Sequence, residues 1–426
     1  MNEPLKQFEV QLGHMCNNRC VFCVSGQRTA MGEAGPSPTE PILEAVRTAR
    51  AGGHTKITLL GGEPTLQPGF LDIVRECVRL GFEEIVVFTN GAKTARPELI
   101  DEILATGGNI TWRISIQGAT LEAHERTTKK EGSFGRILRT MIALRERKQR
   151  ITVNMCVVAS NYESIDQFPA LVREYGVEQL HLDLVRPLDA GIRSEDELRA
   201  MMFRYGEMVP ALERMVRALP ADFDVNLGNL PYCIAPQLAH VIHHDGEATE
   251  TVAIDDREQL SRPWNKYLVK RRDKGKPTSC RACVFDARCS GVFEHYARFH
   301  GIDELVPVTG ARLAAIDPSG VVRRQLLATA LDRLGDVAPT VSLRLARLRA
   351  STPFGELVWT DVRATDAGRR VELTLLGPAA EHATLWLGED ASGTAQGGYT
   401  LDGEPTAAVR EGLGAMIAAM RSGARP

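Results

Sequence analysis

The chain has no apolar run approaching the roughly 18–20 residues needed to span a bilayer. Its opening, MNEPLKQFEV, lacks a basic segment followed by an apolar one. These absences predict a cytoplasmic protein that meets no membrane. Net charge is also scarce: 51 Lys+Arg against 54 Asp+Glu leave −3. There is therefore no global pull toward nucleic acid or anionic lipid, and any basic site must be local. Internal repeats and low-complexity segments are missing as well. With 43% hydrophobic and 25% charged residues over 426 positions, disordered, collagenous and fibrous classes are excluded. The length predicts two or three domains of about 100–200 residues each.

Cysteine, in contrast, is present and clustered. Cys16, Cys20 and Cys23 stand near the start and Cys280, Cys283 and Cys289 form a second group. Cys77, Cys156 and Cys233 are isolated, and no cysteine follows Cys289. In a reducing compartment such clusters bind metal or do redox work more often than they form disulfides. The pattern suggests two metal sites.

From residue 8 to about 185, β-rich runs (8–13, 56–61, 84–89, 111–116, 151–158, 178–185) alternate with amphipathic stretches over 39–51, 68–80, 96–105, 134–147 and 164–175. Such repetition predicts an α/β fold, a parallel sheet with helical crossovers outside it. Periodicity alone leaves an open sheet and a barrel or partial barrel both standing. Ser194, with Glu197 at the capping-box position, predicts one long helix through about 219. Toward the C-terminus, strands over 371–376, 383–388 and 398–403, a loop over 388–398 and a helix over 405–422 predict a small α+β domain.

Directly after the first strand, HMCNNRCVFC spaces Cys16, Cys20 and Cys23 as C-x3-C-x2-C. Three thiolates can hold three irons of a 4Fe–4S cube and leave the fourth open, whereas structural zinc usually takes four closed ligands. LLGGEPTLQP follows the second strand, FTNG the third, and ISIQGATLEAHERTT the fourth. Together these elements resemble the radical S-adenosylmethionine (radical SAM) superfamily over residues 8 to about 185.

The resemblance implies a (β/α)6 partial TIM barrel over 1–190 and a 4Fe–4S cluster on Cys16, Cys20 and Cys23. It further implies S-adenosylmethionine beside Phe22, Gly62, Glu63, Thr89, Ser115 and Asn154. In that reading Gly61 and Gly62 admit the ligand closely, and Glu63 accepts from its ammonium group. Thr89 and Ser115 read otherwise as ordinary strand-end hydroxyls and Asn154 as a network residue. The implied chemistry is one-electron cleavage of adenosylmethionine, fed by a flavodoxin or ferredoxin-type donor, and hydrogen abstraction from a substrate. Period-two alternation sets Cys156 on the face of Asn154. It reads first as a small filler, with return of a hydrogen atom to a substrate radical as its alternative.

SCRACVFDARCSGV resembles part of the SPASM or twitch extension of that superfamily, but Phe293 stands where a further cysteine would follow. One auxiliary 4Fe–4S cluster is therefore expected over 191–309, on Cys280, Cys283 and Cys289, with Cys233 as fourth ligand in a rigid extended loop between Pro231 and Pro236. A zinc ribbon on the same four cysteines is the alternative. Cys77 reads as core filler, and His14, His243 and His244 as satisfied or solvated histidines. The basic run 266–277 reads as a solvated loop or as an anchor for an anionic group. The C-terminal domain, 310–426, carries no role legible in its residues. Maturases of this layout often place a peptide-recognition domain at the N-terminus, and a first strand at about residue 8 predicts none in that place. The expected function is an enzyme acting on a peptide, in the manner of a maturase of ribosomally made peptides. A small metabolite or cofactor precursor is the alternative substrate. Outside the enzyme class stands a non-catalytic iron–sulfur carrier or zinc-stabilised binding module.

Overall fold

The computed structural model describes residues 7–244, 249–254, 259–332, 334–378 and 381–421. All six β-rich runs form strands: β1 Gln7–Gln11, β2 Lys56–Leu60, β3 Glu84–Thr89, β4 Ile110–Ser115, β5 Arg150–Val157 and β6 Gln179–Leu184. Each pairs in parallel with the next, as strands joined by helical crossovers must. Alternation fixes the two faces of the sheet. Phe8, Val10, Ile57, Leu59, Ile85, Val87, Trp112 and Ile114 are buried together in one core with Ile42, Val46, Ile73 and Val74 of the helices Thr39–Ala51 and Phe70–Arg79. The other face carries Glu9, Thr58, Arg113, Ser115, Asn154, His181 and Asp183, the polar side chains that line the barrel's interior.

The sheet does not stop at six strands. β7 Asp224–Gly228 and β8 Ile242–His243 add in parallel beyond β6. On the other edge β9 Thr249–Ala253 adds in parallel to β1, and β10 Trp264–Asn265 runs antiparallel beyond it. The order is β10-β9-β1-β2-β3-β4-β5-β6-β7-β8. Residues from the stretch 191–309 thus extend the barrel sheet at both edges. A two-stranded ribbon, β11 Lys274–Gly275 with β12 Val292–Phe293, flanks the second cysteine group.

The long helix expected after Ser194 is broken. The capping box forms, with Ser194 Oγ accepting from Glu197 N and Glu197 Oε2 accepting from Ser194 N. The helix nevertheless ends at Met201, because Met201 O accepts from Ala159 N at 2.9 Å and Met202, Phe203 and Tyr205 turn into the core. A second helix, Val209–Ala218, follows.

The C-terminal domain is a four-stranded antiparallel meander: β13 Val358–Thr365, β14 Arg370–Leu376, β15 His382–Glu389 and β16 Ala395–Leu401. Val371, Leu373, Leu375, Leu385 and Leu387 bury one face against Val341, Leu345 and Leu348 of helix Pro339–Ser351 and Leu413 and Met416 of helix Ala407–Arg421. β13 was not expected, and the strands reach further into 388–398 than a loop would. Ser422, the expected helix end, lies outside the described residues. Among the described residues no helix is long and apolar enough to cross a membrane.

Candidate active site

The loop after β1 carries the first cysteine group to the C-terminal end of the sheet, where βα loops assemble sites. Cys16, Cys20 and Cys23 are half-buried free thiols, and Cys23 is the N-cap of helix Val24–Met31. Burial pushes the Cys16 thiol up to about 12, and Glu63 and Cys23 add to the rise. Cys20 is pushed up by burial first, then by Cys23, Cys16 and Cys156. Thiols whose ionisation is opposed by burial and by a neighbouring thiol, as at Cys16 and Cys20, are stable as thiolates only beside a cationic centre. Donors are aimed at one of them: Asn18 N lies 3.4 Å and Asn90 Nδ2 3.7 Å from Cys16 Sγ. This donor set fits an iron–sulfur cluster. Asn90, from the FTNG turn, also donates to Asn17 Oδ1 at 2.7 Å, so it ties the third strand's loop to the first's.

Gly62 serves the same loop. A Cβ there would meet Met15 O at 2.3 Å and His14 O at 2.5 Å, while Gly62 N donates to Gly13 O and Glu63 N to Met15 O, both at 2.8 Å. The close approach is to backbone of the cysteine loop, a role distinct from the expected approach to a ligand. Glu63 is buried. Its Oε1 accepts from Thr65 N (3.2 Å), Thr65 Oγ1 (2.5 Å) and Thr89 Oγ1 (2.7 Å), and Oε2 from Asn90 N (2.7 Å). Burial raises its pKa against the pull of these donors. Glu63 and Thr89 therefore clamp the second and third strand-end loops, with only Oε2 holding a single partner. Phe22 packs half-buried against the main core.

Further round the interior, Ser115 Oγ accepts from Gln117 Nε2 at 2.6 Å, and Gln117 Oε1 accepts from Cys156 N at 3.0 Å. Asn154 Nδ2 donates to Asp183 Oδ2 at 3.4 Å, and Asp183 Oδ1 occupies space that a Cβ on Gly228 would fill. Cys156 is half-buried. Burial raises its pKa, and Asp183, Asp189 and Cys23 raise it further while Lys270 lowers it. It thus stands between the first cysteine loop and a charged lumen. Cys77, on helix Phe70–Arg79, is buried as expected of filler.

The second group lies beside the ribbon. Cys283 N donates to Cys280 O, Cys289 N to Phe285 O, and Gly291 N to Cys289 Sγ at 3.4 Å. Cys233 is pushed up to about 12 by burial and then by Cys289, Cys283 and Cys280. All four thiols therefore share one neighbourhood. Cys233 sits in a turn closed by Ile234 N to Pro231 O at 3.0 Å, so the expected extended loop is corrected. Among the described residues, no three His, Cys, Asp or Glu side chains converge closely enough to grip one ion. His244 is buried and bridges Leu230 O and Ser290 Oγ, and His14 Nδ1 is 3.0 Å from Ser25 Oγ. Sequence reasoning missed Asn17, Asn90, Gln117 and Asp183. Asn17, Asn90 and Gln117 lay inside quoted motifs without being singled out, whereas Asp183 carries no local signal.

Residues 10–174 match the family model described as Radical SAM superfamily. The chain is similar to a probable GTP 3′,8-cyclase of Saccharolobus solfataricus, 28% identical over 206 residues, which are 46% of this chain and 63% of that one. It is also similar to an AdoMet-dependent heme synthase of Methanosarcina barkeri, 29% identical over 181 residues, 42% of this chain and 51% of the other. The chain thus spans less than two thirds of the length of these curated relatives. A solved structure, Streptococcus suis SuiB bound to S-adenosylmethionine, overlaps 69% of this chain and 74% of its own with a TM-score of 0.48 and 14% identity.

Proposed function

Taking as premise that residues 10–174 make this chain a member of the radical SAM superfamily, we propose that it is a radical SAM oxidoreductase acting on a peptide. The observation that carries this reading is the junction at the first cysteine loop. Three grouped thiols are held there by Gly62 backbone contacts and by Asn90, which reaches both Cys16 and Asn17. When bound, a 4Fe–4S cluster reduced by a flavodoxin or ferredoxin-type protein supplies the electron that cleaves adenosylmethionine into methionine and a 5′-deoxyadenosyl radical.

The chain's own residues hold and orient. Cys16, Cys20 and Cys23 would ligate the cluster. Glu63 and Thr89 keep the GGEP and TNG loops in register, and the remaining lobe of Glu63 Oε2 suits an ammonium donor. Ser115 and Asn154 face the space between these loops and the lumen. Cys156, with its thiol kept protonated by burial, has an S–H hydrogen to return to a substrate radical. Cys233, Cys280, Cys283 and Cys289 would hold one auxiliary 4Fe–4S cluster closed by four thiolates, suited to electron transfer or support. The peptide reading rests on the SPASM-like second group. A small metabolite or cofactor precursor is the second reading, favoured by the printed activities of the curated relatives.

Anaerobically reconstituted protein with dithionite should convert adenosylmethionine to 5′-deoxyadenosine. Replacing Cys16, Cys20 and Cys23 together by Ala should abolish it. Unchanged formation in that variant would refute the assignment.

A further inference from the structure

A cavity of about 730 Å³ lies against the first cysteine loop, and the sites described above leave it without a role. Its wall is shared by that loop, helix Val24–Met31, the end of helix Leu121–Thr128 and helix Glu195–Met201. The loop is pinned there by its backbone, with Arg19 N donating to Thr128 O at 2.9 Å and Val21 N to Thr127 O at 3.0 Å. Arg19 and Val21 both line the cavity and Cys20 stands between them. The wall is therefore one residue, about 3.8 Å of chain, from a cysteine of the first group. Gln27, also on the wall, grips the backbone of Ile192 twice: its Oε1 accepts from Ile192 N at 2.9 Å and its Nε2 donates to Ile192 O. Gly191 permits this grip, since its φ is +80° and a Cβ there would meet Gln27 Oε1 at 2.3 Å. The grip presents the Ile192 side chain outward, 91% exposed, and Met31 on the cavity wall is 60% exposed.

The rim is cationic. Arg19, Arg126, Lys129 and Arg193 line the cavity with one carboxylate, Glu197. That carboxylate already accepts from Ser194 N at 2.8 Å and meets Arg193 at 3.4 Å. Arg126 is anchored by Nε and Nη2 donating to Ser160 O at 3.0 and 2.6 Å, which fixes where its charge stands. Arg19, Arg126 and Lys129 are exposed, and among the described residues Arg19 and Lys129 pair with no carboxylate. Solvated charges of one sign add little affinity but steer an oppositely charged partner, speeding its arrival in a salt-dependent way. A small anionic ligand held through a reaction calls instead for buried, hydrogen-bonded cations. Exposed apolar side chains ringed by exposed cations therefore fit an acidic protein that docks briefly, on an interface below about 1,200 Å².

We propose that this surface is the docking site for an acidic one-electron carrier protein, which delivers its electron across the segment 19–21 to a cluster on Cys16, Cys20 and Cys23. Ile192 and Met31 supply the apolar contact, and Arg126 and Lys129 the steering charge. The transfer makes and breaks no bond: the carrier loses one electron and the cluster gains it. This deepens the enzyme reading above and rests on it for the cluster, though the docking surface is testable alone.

The probe is a recombinant flavodoxin, an acidic flavin protein. Its binding to the reconstituted protein is measured by calorimetry at rising sodium chloride, and deoxyadenosine formation is followed with reduced flavodoxin and, separately, with dithionite. Binding should weaken steadily with salt. Lys129→Glu combined with Arg126→Gln should raise the Kd, and the flavodoxin concentration for half-maximal turnover, about tenfold. Ile192→Asp should raise both by a smaller factor. Lys148→Glu is the matched control: Lys148 is exposed and has the same charge and left-handed backbone, φ +53° against +52° for Lys129, but precedes β5 at the opposite end of the sheet. It should bind flavodoxin as the wild type does, and every variant should keep wild-type turnover with dithionite. Lys129 is exposed, so Lys129→Glu alone decides the matter even if the double variant does not fold. No binding, salt-independent binding, or equal weakening in Lys148→Glu and Lys129→Glu would each overturn the proposal. So would binding of an Asp/Glu-rich peptide that Lys129→Glu abolishes while flavodoxin binding is unchanged, which would assign the surface to an acidic peptide. Absence of dithionite-driven deoxyadenosine in the wild type would instead count against the radical chemistry, with the calorimetry still reporting on the surface.

Discussion

Replacing Gly62 by Ala tests whether the GGEP loop positions the first cysteine group. Gly62 does not adopt the left-handed backbone, so alanine costs nothing in φ and the whole effect is steric. The new Cβ would stand 2.3 Å from Met15 O and 2.5 Å from His14 O, where non-bonded heavy atoms settle at roughly 3.5 Å. One segment must retreat by about 1 Å, and that segment leads directly into Cys16. The retreat strains two hydrogen bonds, Gly62 N to Gly13 O and Glu63 N to Met15 O, both 2.8 Å. Each is worth about 1 kcal/mol, and overpacking itself costs about 1–3 kcal/mol. The expected loss is roughly 3–5 kcal/mol, read as a fall on the order of 5–10 °C in the thermal midpoint of the reconstituted protein. Iron bound per chain should fall with it. Gly135→Ala is the control: it lies inside helix Ser133–Glu146 with nothing nearer its Cβ than Arg139 Nη1 at 3.9 Å. It should stabilise by about 0.5–1 kcal/mol. A Gly62→Ala protein with wild-type midpoint and iron content would refute the reasoning.

If both thiol groups hold 4Fe–4S cubes, the wild type should carry about eight irons, and Cys233→Ala should fall toward about four, counted by iron analysis. Full iron with an unchanged spectrum would show that three cysteines suffice. His124 is buried, its Nδ1 accepts from Gln117 N at 3.0 Å, and burial lowers its pKa to about 4. The unfolded chain takes up that proton near the ordinary value of about 6.5. Stability from this group is thus complete above about 6.5 and is lost as pH falls toward 4. His124→Gln should flatten the dependence of unfolding free energy on pH in that window by up to about 1.4 kcal/mol per unit. An unaltered slope in denaturant titrations at several pH values would contradict the assignment.

Local pattern was enough for much of this protein. The six strands of the βα repeat, the grouping of Cys16, Cys20 and Cys23, the capping box at Ser194 and Glu197, and the burial of Cys77 all depend on residues close in sequence. Alternation and helical period report a side chain's face without knowledge of its distant partners. For the same reason the long helix after Ser194 was misread. Its capping signal is local, whereas its termination at Met201 depends on Ala159 N taking the Met201 carbonyl, a contact 42 residues away in sequence.

What only tertiary structure decided is where non-local pieces meet. β9 joins β1 across more than two hundred residues, with Gln7 opposite Thr249, and no periodicity encodes that pairing. The sequence marked Gly62 as a loop glycine, but only the fold shows that it rests on the carbonyls of residues 14 and 15. Cys233 was brought to its three companions by the chain's return past β7. Helix Lys266–Arg272 is tied to the sheet by the pair Lys266–Glu9 and, just past its end, by Asp273–Arg186, partners far apart in sequence. Short-range geometry can be read from residue order, because it is set by backbone sterics and side-chain period. The cofactor and substrate sites are made of contacts whose partners are chosen by packing of the whole sheet, and that choice exists only in the folded chain.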